Sequence, residues 1–119
     1  MLLKFSPLLI SKFDMIKTDI IIIGAGPTGL FAVFEAGLLK LKCHLIDALA
    51  EPGGQCNEIY PKKPIYDIPA YPEILAGELT EKLLEQSKQF KPGFTLGERA
   101  ENITKNALYG TKTHHNMNL

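Results

Sequence analysis

The 119 residues allow one domain at most, and 45% hydrophobic with 22% charged residues is the balance of a folded globular chain. The 13 Lys and Arg residues match 13 Asp and Glu, and Arg99 is the only arginine, so the basic stripe needed for nucleic-acid binding is missing. No apolar run reaches the ~18 residues of a membrane-spanning helix. Two cysteines, Cys43 and Cys56, are too few for a disulfide framework or a four-ligand zinc site. We therefore expect a cytoplasmic domain that binds neither nucleic acid, membrane nor metal.

The first part of the chain predicts a strand, a helix and a second strand in close succession. Residues 19–23, DIIII, form a β-branched run that ends at glycine, which is typical of a buried parallel strand. Residues 27–40 have apolar side chains at helical spacing, and residues 42–47, KCHLID, predict a strand that ends in an acid. Upstream, residues 1–14 are either an extension outside the fold or the product of a misread start, with Met15 as the alternative first residue.

The second part of the chain predicts an irregular stretch, a helix and a strand. Residues 48–72 show no periodicity and are rich in proline and tyrosine, so we expect a long functional loop. Residues 73–91 predict an amphipathic helix that ends before Pro92-Gly93. Residues 94–103 predict a short third strand, and residues 104–119 predict an unstructured tail.

The expected topology also predicts how stable the chain is. Successive right-handed β-α-β units place their helices on one face of a parallel sheet. The strand of residues 19–23 is apolar on both faces, but no regular apolar segment is left to cover the second face. We therefore expect the isoleucines of that face, with their neighbours on the second strand, to be exposed to water, and the chain to be marginally stable and prone to self-association.

The segment GAGPTG is a G-x-G-x-x-G motif that leaves a predicted strand and opens a predicted helix. In this context the motif predicts a dinucleotide-binding turn. Gly24 permits the tight turn, Gly26 lets the backbone approach a pyrophosphate, and Gly29 lets helix and strand pack closely. Pro27 suits the first helical turn. Thr28 can add a hydroxyl to the amides that the helix N-terminus offers to an anion.

An acid and a glycine-rich loop follow this turn. Asp47 ends the second predicted strand, 18 residues after Gly29, where an acid accepts hydrogen bonds from an adenosine ribose. Because a carboxylate repels a 2′-phosphate and no arginine lies nearby, the site favours FAD or NAD over NADP. The Gly53-Gly54-Gln55 segment and the tyrosines around it are residue types that suit an isoalloxazine ring. Composition alone leaves an ordinary surface loop equally open.

Three stretches together resemble ferredoxin–NADP reductases of the thioredoxin-reductase-like type: TDIIIIGAGPTGLFAVFEAG, KCHLIDALAEPGGQC and YPKKPIYDIPAYPEILAGEL. The G-G-Q and P-I-Y-D-I-P-A-Y-P motifs are more specific than the glycine motif. The resemblance implies an α/β fold, a partial Rossmann-type three-layer FAD-binding unit with a short parallel sheet, incomplete relative to the family. It divides the chain into an N-terminal extension (1–16), a partial FAD-binding domain (17–103) and an unstructured tail (104–119).

The resemblance also implies a function. The family is one of homodimeric flavoproteins that exchange hydride between NADPH and FAD and single electrons between FAD and ferredoxin. By resemblance Thr28 contacts the cofactor diphosphate, Asp47 the adenosine ribose, Gln55 and Tyr60 the flavin side, and the backbone of Ala100 the adenine. The candidate cofactor-binding residues are Gly24, Gly26, Pro27, Thr28, Gly29, Asp47, Gly54, Gln55, Tyr60 and Ala100.

The sequence departs from the family in what it lacks. A complete member carries a second glycine motif for NADPH in a separate domain, and neither that motif nor a late segment covering the flavin occurs here. We therefore expect a truncated chain that is inactive by itself and has no catalytic residue of its own. Two alternatives stay open: part of a thioredoxin-reductase-like flavoprotein, and a non-catalytic nucleotide-binding module. The lack of a C-x-x-C pair favours the ferredoxin branch.

Overall fold

The computed structural model describes residues 15–54, 61–104 and 107–112, the last of these as backbone alone. The elements in chain order are β1 (Ile20–Ile23), α1 (Pro27–Leu38), β2 (Cys43–Asp47), β3 (Pro64–Ile65), β4 (Ile74–Leu75), α2 (Ala76–Lys88), β5 (Gly93–Leu96), β6 (Glu98–Thr104) and β7 (Ala107–Lys112). They form a parallel sheet with the strand order β1-β2-β5 and two antiparallel pairs, β3-β4 and β6-β7.

The parallel sheet brings the G-x-G-x-x-G motif and Asp47 together. Ile22 of β1 lies opposite Leu45 of β2, which lies opposite Phe94 of β5. Apolar and β-branched residues favour such strands because their side chains pack well on a pleated surface. Since β1 and β2 run in parallel, their carboxyl ends meet at one edge. The turn after β1 therefore lies beside Asp47, the last residue of β2.

Helices α1 and α2 pack against each other and against one face of this sheet. Leu30 and Val33 of α1 are buried in the core, and Leu83 of α2 packs against them. Phe90, just after α2, meets Phe34 edge to face with ring centres 5.7 Å apart. Both helices lie on one face because each right-handed crossover returns the chain to the same side of the sheet.

The predicted order of strand, helix, strand, helix and strand is confirmed, and with it a Rossmann-type α/β unit with a short parallel sheet. The helix predicted for residues 73–91 begins later, at Ala76. The reason is that Ile74–Leu75 pairs with Pro64–Ile65 as a short antiparallel ladder. That pairing also places a strand inside residues 48–72, where the sequence shows no periodicity.

The strand predicted for residues 94–103 is wrong in one respect, because it is two strands. β5 ends at Leu96 in the parallel sheet, and Gly97, with φ of +73°, turns the chain into β6. β6 pairs with β7, so the prediction of an unstructured tail is wrong for Ala107–Lys112. Periodicity missed β7 because a short strand of this kind is fixed by its partner more than by its own sequence.

The second face of the parallel sheet is also partly covered, contrary to the expectation from sequence. β6 contacts β2, and Ile46 of β2 is only 7% exposed. Ile21 is partly buried, whereas Ile23 is 62% exposed. The expected exposure is therefore wrong for Ile46 and Ile21 and correct for Ile23.

Some predictions fall outside what the structure describes. Gln55, Tyr60 and residues 1–14 lie outside the described residues. The division into extension, domain and tail stays a prediction. Within the described ranges, no helix is long and apolar enough to cross a bilayer.

Candidate functional site

The G-x-G-x-x-G motif forms the turn between β1 and α1, as its context predicts. Gly24 has φ of +105°, a backbone conformation that L side chains rarely adopt, and its N–H donates to the Ile46 carbonyl oxygen at 2.8 Å. A Cβ on Gly29 would overlap the carbonyl oxygen of Gly24. The first and third glycines of the motif are thus required by the turn itself, whether or not a ligand is bound.

Gly26, the second glycine, is different because no described residue requires it. It has an ordinary φ of −79°, and a Cβ built on it would meet no atom of the described residues within 4 Å. Gly26 is the N-cap of α1, and no side chain caps this helix end with a hydrogen bond. Pro27 and Thr28 begin the helix, and Thr28 is exposed. The space beside Gly26 and the helix N-terminus behind it are the features that an anionic diphosphate requires.

Asp47 lies directly against this turn. Its Oδ2 accepts a hydrogen bond from the N–H of Ala25 at 2.7 Å, and its Oδ1 accepts one from the N–H of Leu49 at 2.9 Å. Each oxygen keeps a second lone pair, since a carboxylate has about four acceptor positions. The acid predicted from the sequence to bind a ribose therefore lies at the glycine turn. Its carboxylate already accepts hydrogen bonds from the backbone of the turn and from the backbone of the loop after β2.

The loop after β2 supplies a second contact to the turn. The N–H of Gly53 donates to the carbonyl oxygen of Ala25 at 2.7 Å. Gly54 has φ of +60°, and a Cβ on it would lie 3.2 Å from the Cα of Gly26. Gly54 is thus placed beside the turn, as its inclusion among the candidate residues requires. Its neighbour Gln55 lies outside the described residues.

Ala100, the other candidate residue, lies in β6 opposite Gly110, with a register shift between Ala100 and Asn102. β6 contacts β2, which brings this strand toward the acid-bearing element of the site. The proximity of Ala100 to an adenine stays a prediction.

Sequence reasoning missed Ala25 as a member of the site. Ala25 is completely buried, and both its N–H and its carbonyl oxygen are bonded, to Asp47 and to Gly53. The available signal was its small side chain between two motif glycines, in a turn that must pack against a following acid.

Two titratable side chains lie at the opposite end of β2 and take no part in the turn. Burial, with a smaller contribution from the charge of Asp19, raises the pKa of the Cys43 thiol. Burial lowers the pKa of His44. Among the residues that the structure describes, no three His, Cys, Asp or Glu side chains are grouped as a metal site would require.

Comparison with known proteins gives consistent results. A family model described as an NAD(P)-binding Rossmann-like domain matches residues 22–78. Ferredoxin–NADP reductase 1 of Christiangramia forsetii is 81% identical over 91 residues, which are 76% of this chain and 26% of that protein. Ferredoxin–NADP reductase of Flavobacterium psychrophilum is 64% identical over 110 residues, covering 86% of this chain and 31% of that protein.

Among solved structures, thioredoxin reductase of Streptococcus pyogenes matches with a TM-score of 0.60 and 31% identity, over 80% of this chain and 33% of that one. The chain thus spans about a quarter to a third of the length of its relatives. These relatives are enzymes, and the matching region is their N-terminal quarter. The chain is therefore similar to the N-terminal part of ferredoxin–NADP reductases, and its fold is that of the corresponding part of a thioredoxin reductase.

Proposed function

We propose that this chain binds the ADP part of FAD and that it represents the FAD-binding part of a ferredoxin–NADP reductase. The observation that carries the proposal is the open space at Gly26, next to an uncapped helix N-terminus and beside Asp47. A glycine at a position where the described residues leave room for a side chain supports the use of that space by a ligand. The high identity to ferredoxin–NADP reductases supports the choice of cofactor.

Different residues of the site would contact different parts of FAD. The backbone at Gly26 and the first turn of α1 would hold the diphosphate, with the Thr28 hydroxyl at the same helix end. Asp47 would accept hydrogen bonds from the ribose hydroxyls through the lone pairs that Ala25 and Leu49 leave free. FAD, when bound, supplies hydride exchange with NADPH and single-electron exchange with ferredoxin, while the protein orients it. Gln55, Tyr60 and Ala100 complete the proposed cofactor contacts.

The activity of the complete enzyme is part of the proposal. NADPH would bind in a separate domain, ferredoxin would be the electron partner, and a homodimer in the cytoplasm would be the working form. A thioredoxin-reductase-type activity is the second candidate, favoured by the structural similarity to thioredoxin reductase of Streptococcus pyogenes. A module that binds NAD without catalysis is the third, favoured by the family model for NAD(P)-binding domains.

Titration with FAD, NAD and NADPH distinguishes the two FAD-binding candidates from the module that binds NAD. We expect FAD to bind most tightly and NADPH most weakly, because Asp47 would face the ribose and repel a 2′-phosphate. Asp47→Ala should weaken FAD binding by about 1–3 kcal/mol, the usual loss for a charged hydrogen-bond partner. Flavin fluorescence and isothermal calorimetry measure the affinities. Tighter binding of NADPH than of FAD would contradict the proposal.

Two glycine variants provide an internal control for that titration. Gly26→Val should fold, because the backbone at Gly26 is extended, as β-branched residues prefer, and no described atom lies within 4 Å of its Cβ; it should lose FAD binding because it fills the ligand space. Gly29→Ala should disturb the turn itself, because its Cβ would overlap the Gly24 carbonyl oxygen. Circular dichroism and urea unfolding separate the two effects. Unchanged FAD affinity in a well-folded Gly26→Val variant would show that the space beside Gly26 is not the diphosphate site.

A separate assay tests catalysis. We expect the 119 residues by themselves to show no NADPH-dependent reduction of ferredoxin or of dyes, because they contain no second glycine motif to present the hydride donor. Steady turnover by the pure chain, with contaminating reductases excluded, would contradict this expectation.

A further inference from the structure

The carboxylate of Asp47 is already engaged by the backbone of the glycine turn. Its Oδ2 accepts from Ala25 at 2.7 Å, a length typical of a strong, charge-assisted hydrogen bond. Its Oδ1 accepts from Leu49, two residues further along the chain. One side chain therefore joins the end of β2, the start of the following loop and the centre of the turn after β1.

Ala25 is held from its other side as well. Its carbonyl oxygen accepts from the N–H of Gly53 at 2.7 Å, and its side chain is completely buried. The peptide units on either side of Ala25 are thus fixed by two groups that come from β2 and the loop behind it. Since Gly24 and Gly26 flank Ala25, any movement of Ala25 moves the backbone that would face a diphosphate.

The loop also approaches the turn closely. A Cβ on Gly54 would lie 3.2 Å from the Cα of Gly26, so the two backbones approach too closely for a side chain to fit easily between them. The structure therefore shows the turn and residues 47–54 as one hydrogen-bonded and packed unit. Asp47 is therefore joined to the backbone at Gly26 by way of Ala25 in the absence of any ligand.

We propose that Asp47 is a positioning residue for the diphosphate turn, in addition to the ribose contact discussed above. Its carboxylate holds the Ala25 amide, and through it the backbone at Gly26, in the binding geometry before a nucleotide arrives. The expected effect on ligand binding rests on the proposed function. The hydrogen bond from the Ala25 N–H to Asp47 does not depend on any ligand.

The test compares Asp47→Asn with Asp19→Asn. Asparagine has the size of aspartate, but its NH₂ group cannot accept, so one of the N–H groups of Ala25 and Leu49 loses its acceptor. Asp19 makes a matching contact at the other end of the sheet, where its Oδ2 accepts from the N–H of Lys42 at 2.8 Å. Both variants remove one negative charge, but Asp19→Asn keeps an oxygen for its single bond to Lys42, and only Asp47 lies at the glycine turn.

The binding probes are ADP and 2′,3′-dideoxy-ADP, which share the diphosphate and differ in the ribose hydroxyls. If Asp47 positions the turn, Asp47→Asn should weaken the binding of both ligands by about fivefold or more, while Asp19→Asn leaves both unchanged. If Asp47 acts only through the ribose, the variant and the parent chain should bind dideoxy-ADP equally well. That second result would overturn the proposal. Affinities are measured well below the melting temperature of each variant, so that loss of folded protein does not enter.

Amide hydrogen exchange in the ligand-free chain provides a second measurement. We expect the Gly53 N–H, which is bonded to Ala25 and not to Asp47, to exchange faster in Asp47→Asn and at the parent rate in Asp19→Asn. Unchanged exchange at Gly53 in Asp47→Asn would also overturn the proposal. If the parent chain binds neither ADP nor FAD, the proposed function fails, and exchange at Gly53 alone decides whether Asp47 positions the turn.

Discussion

The two faces of the parallel sheet use alternate residues of the same three strands, yet their surroundings differ. On one face Ile22, Leu45 and Phe94 lie in register and pack with the core beneath α1 and α2. On the other face Ile23 lies opposite Ile46, which lies opposite Thr95. The helix-covered face is a continuous apolar core, whereas the second face combines apolar and polar side chains.

The second face is covered unevenly across the sheet. Ile46 of the central strand β2 is 7% exposed, while Ile23 of the edge strand β1 is 62% exposed. His44 of β2 shares a hydrogen bond with Thr95 of β5, with 2.6 Å between Nε2 and Oγ1. A Cβ on Gly93 would overlap the His44 ring, so the glycine makes room for the imidazole. Position within the sheet, rather than hydrophobicity, therefore decides which side chains of this face are buried.

The largest expected effect is on the helix-covered face, at Leu45. Leu45 is completely buried, so Leu45→Ala removes a core side chain and should lower the free energy of unfolding by about 2–5 kcal/mol. Urea unfolding measures the change, with Ile23→Ala as the matched truncation on the exposed position. Equal losses in the two variants would show that the buried central position and the exposed edge position do not differ in packing.

A smaller loss is expected where the two helix segments meet. A Cβ on Gly37 of α1 would overlap the ring of Phe90, so Gly37→Ala should destabilise the chain by about 1–3 kcal/mol through overpacking. This expected loss of stability is opposite to the gain that alanine usually gives over glycine in a helix. Combining it with Phe90→Leu should recover part of the loss in a double-mutant cycle. A stabilising Gly37→Ala would contradict the close contact.

The exposed position of the second face should respond differently. Ile23→Thr keeps a β-branched side chain and should change the free energy of unfolding by less than about 0.5 kcal/mol. It should also reduce self-association and the binding of a hydrophobic dye, both of which we expect of the parent chain. Ile22→Thr, one residue away and packed against the core, is the control and should destabilise clearly. A sharp melt above ~60 °C for the parent chain, without dye binding, would contradict the expected marginal stability.

The smallest expected effect is a pH dependence from the second face. Burial lowers the pKa of His44 below its ordinary value of 6.5, so the unfolded chain binds the proton more readily than the folded one. Above pH 6.5 His44 is neutral in both states and does not lower the free energy of unfolding. Below that pH the free energy of unfolding falls as the pH is lowered through the folded-state pKa of His44. His44→Gln should remove that part of the dependence in urea unfolding at pH 5.5 and 7.5. An unchanged pH profile in His44→Gln would show that His44 does not titrate differently in the two states.

Much of the site could be predicted because its chemistry is local in the sequence. The glycines of the turn follow a strand directly and open a helix, and their spacing in that context predicts a role for each of them. The structure refines this by showing that Gly24 and Gly29 are needed by the turn, whereas Gly26 leaves open space. The double engagement of Asp47 could not be predicted, because it depends on the register that places the end of β2 beside Ala25.

The sequence by itself determined the order of the three parallel strands and the two helices, because β-branched runs, helical spacing and glycine turns are properties of short segments. Only the tertiary structure decided which isoleucines are covered, since β1 lies at an edge and β2 in the centre. It also decided that the chain leaves the sheet at Gly97 to form the β6-β7 pair, because a strand end depends on which partner offers hydrogen bonds. Local sequence specifies what each segment can form, whereas long-range pairing selects which of its faces and ends are used.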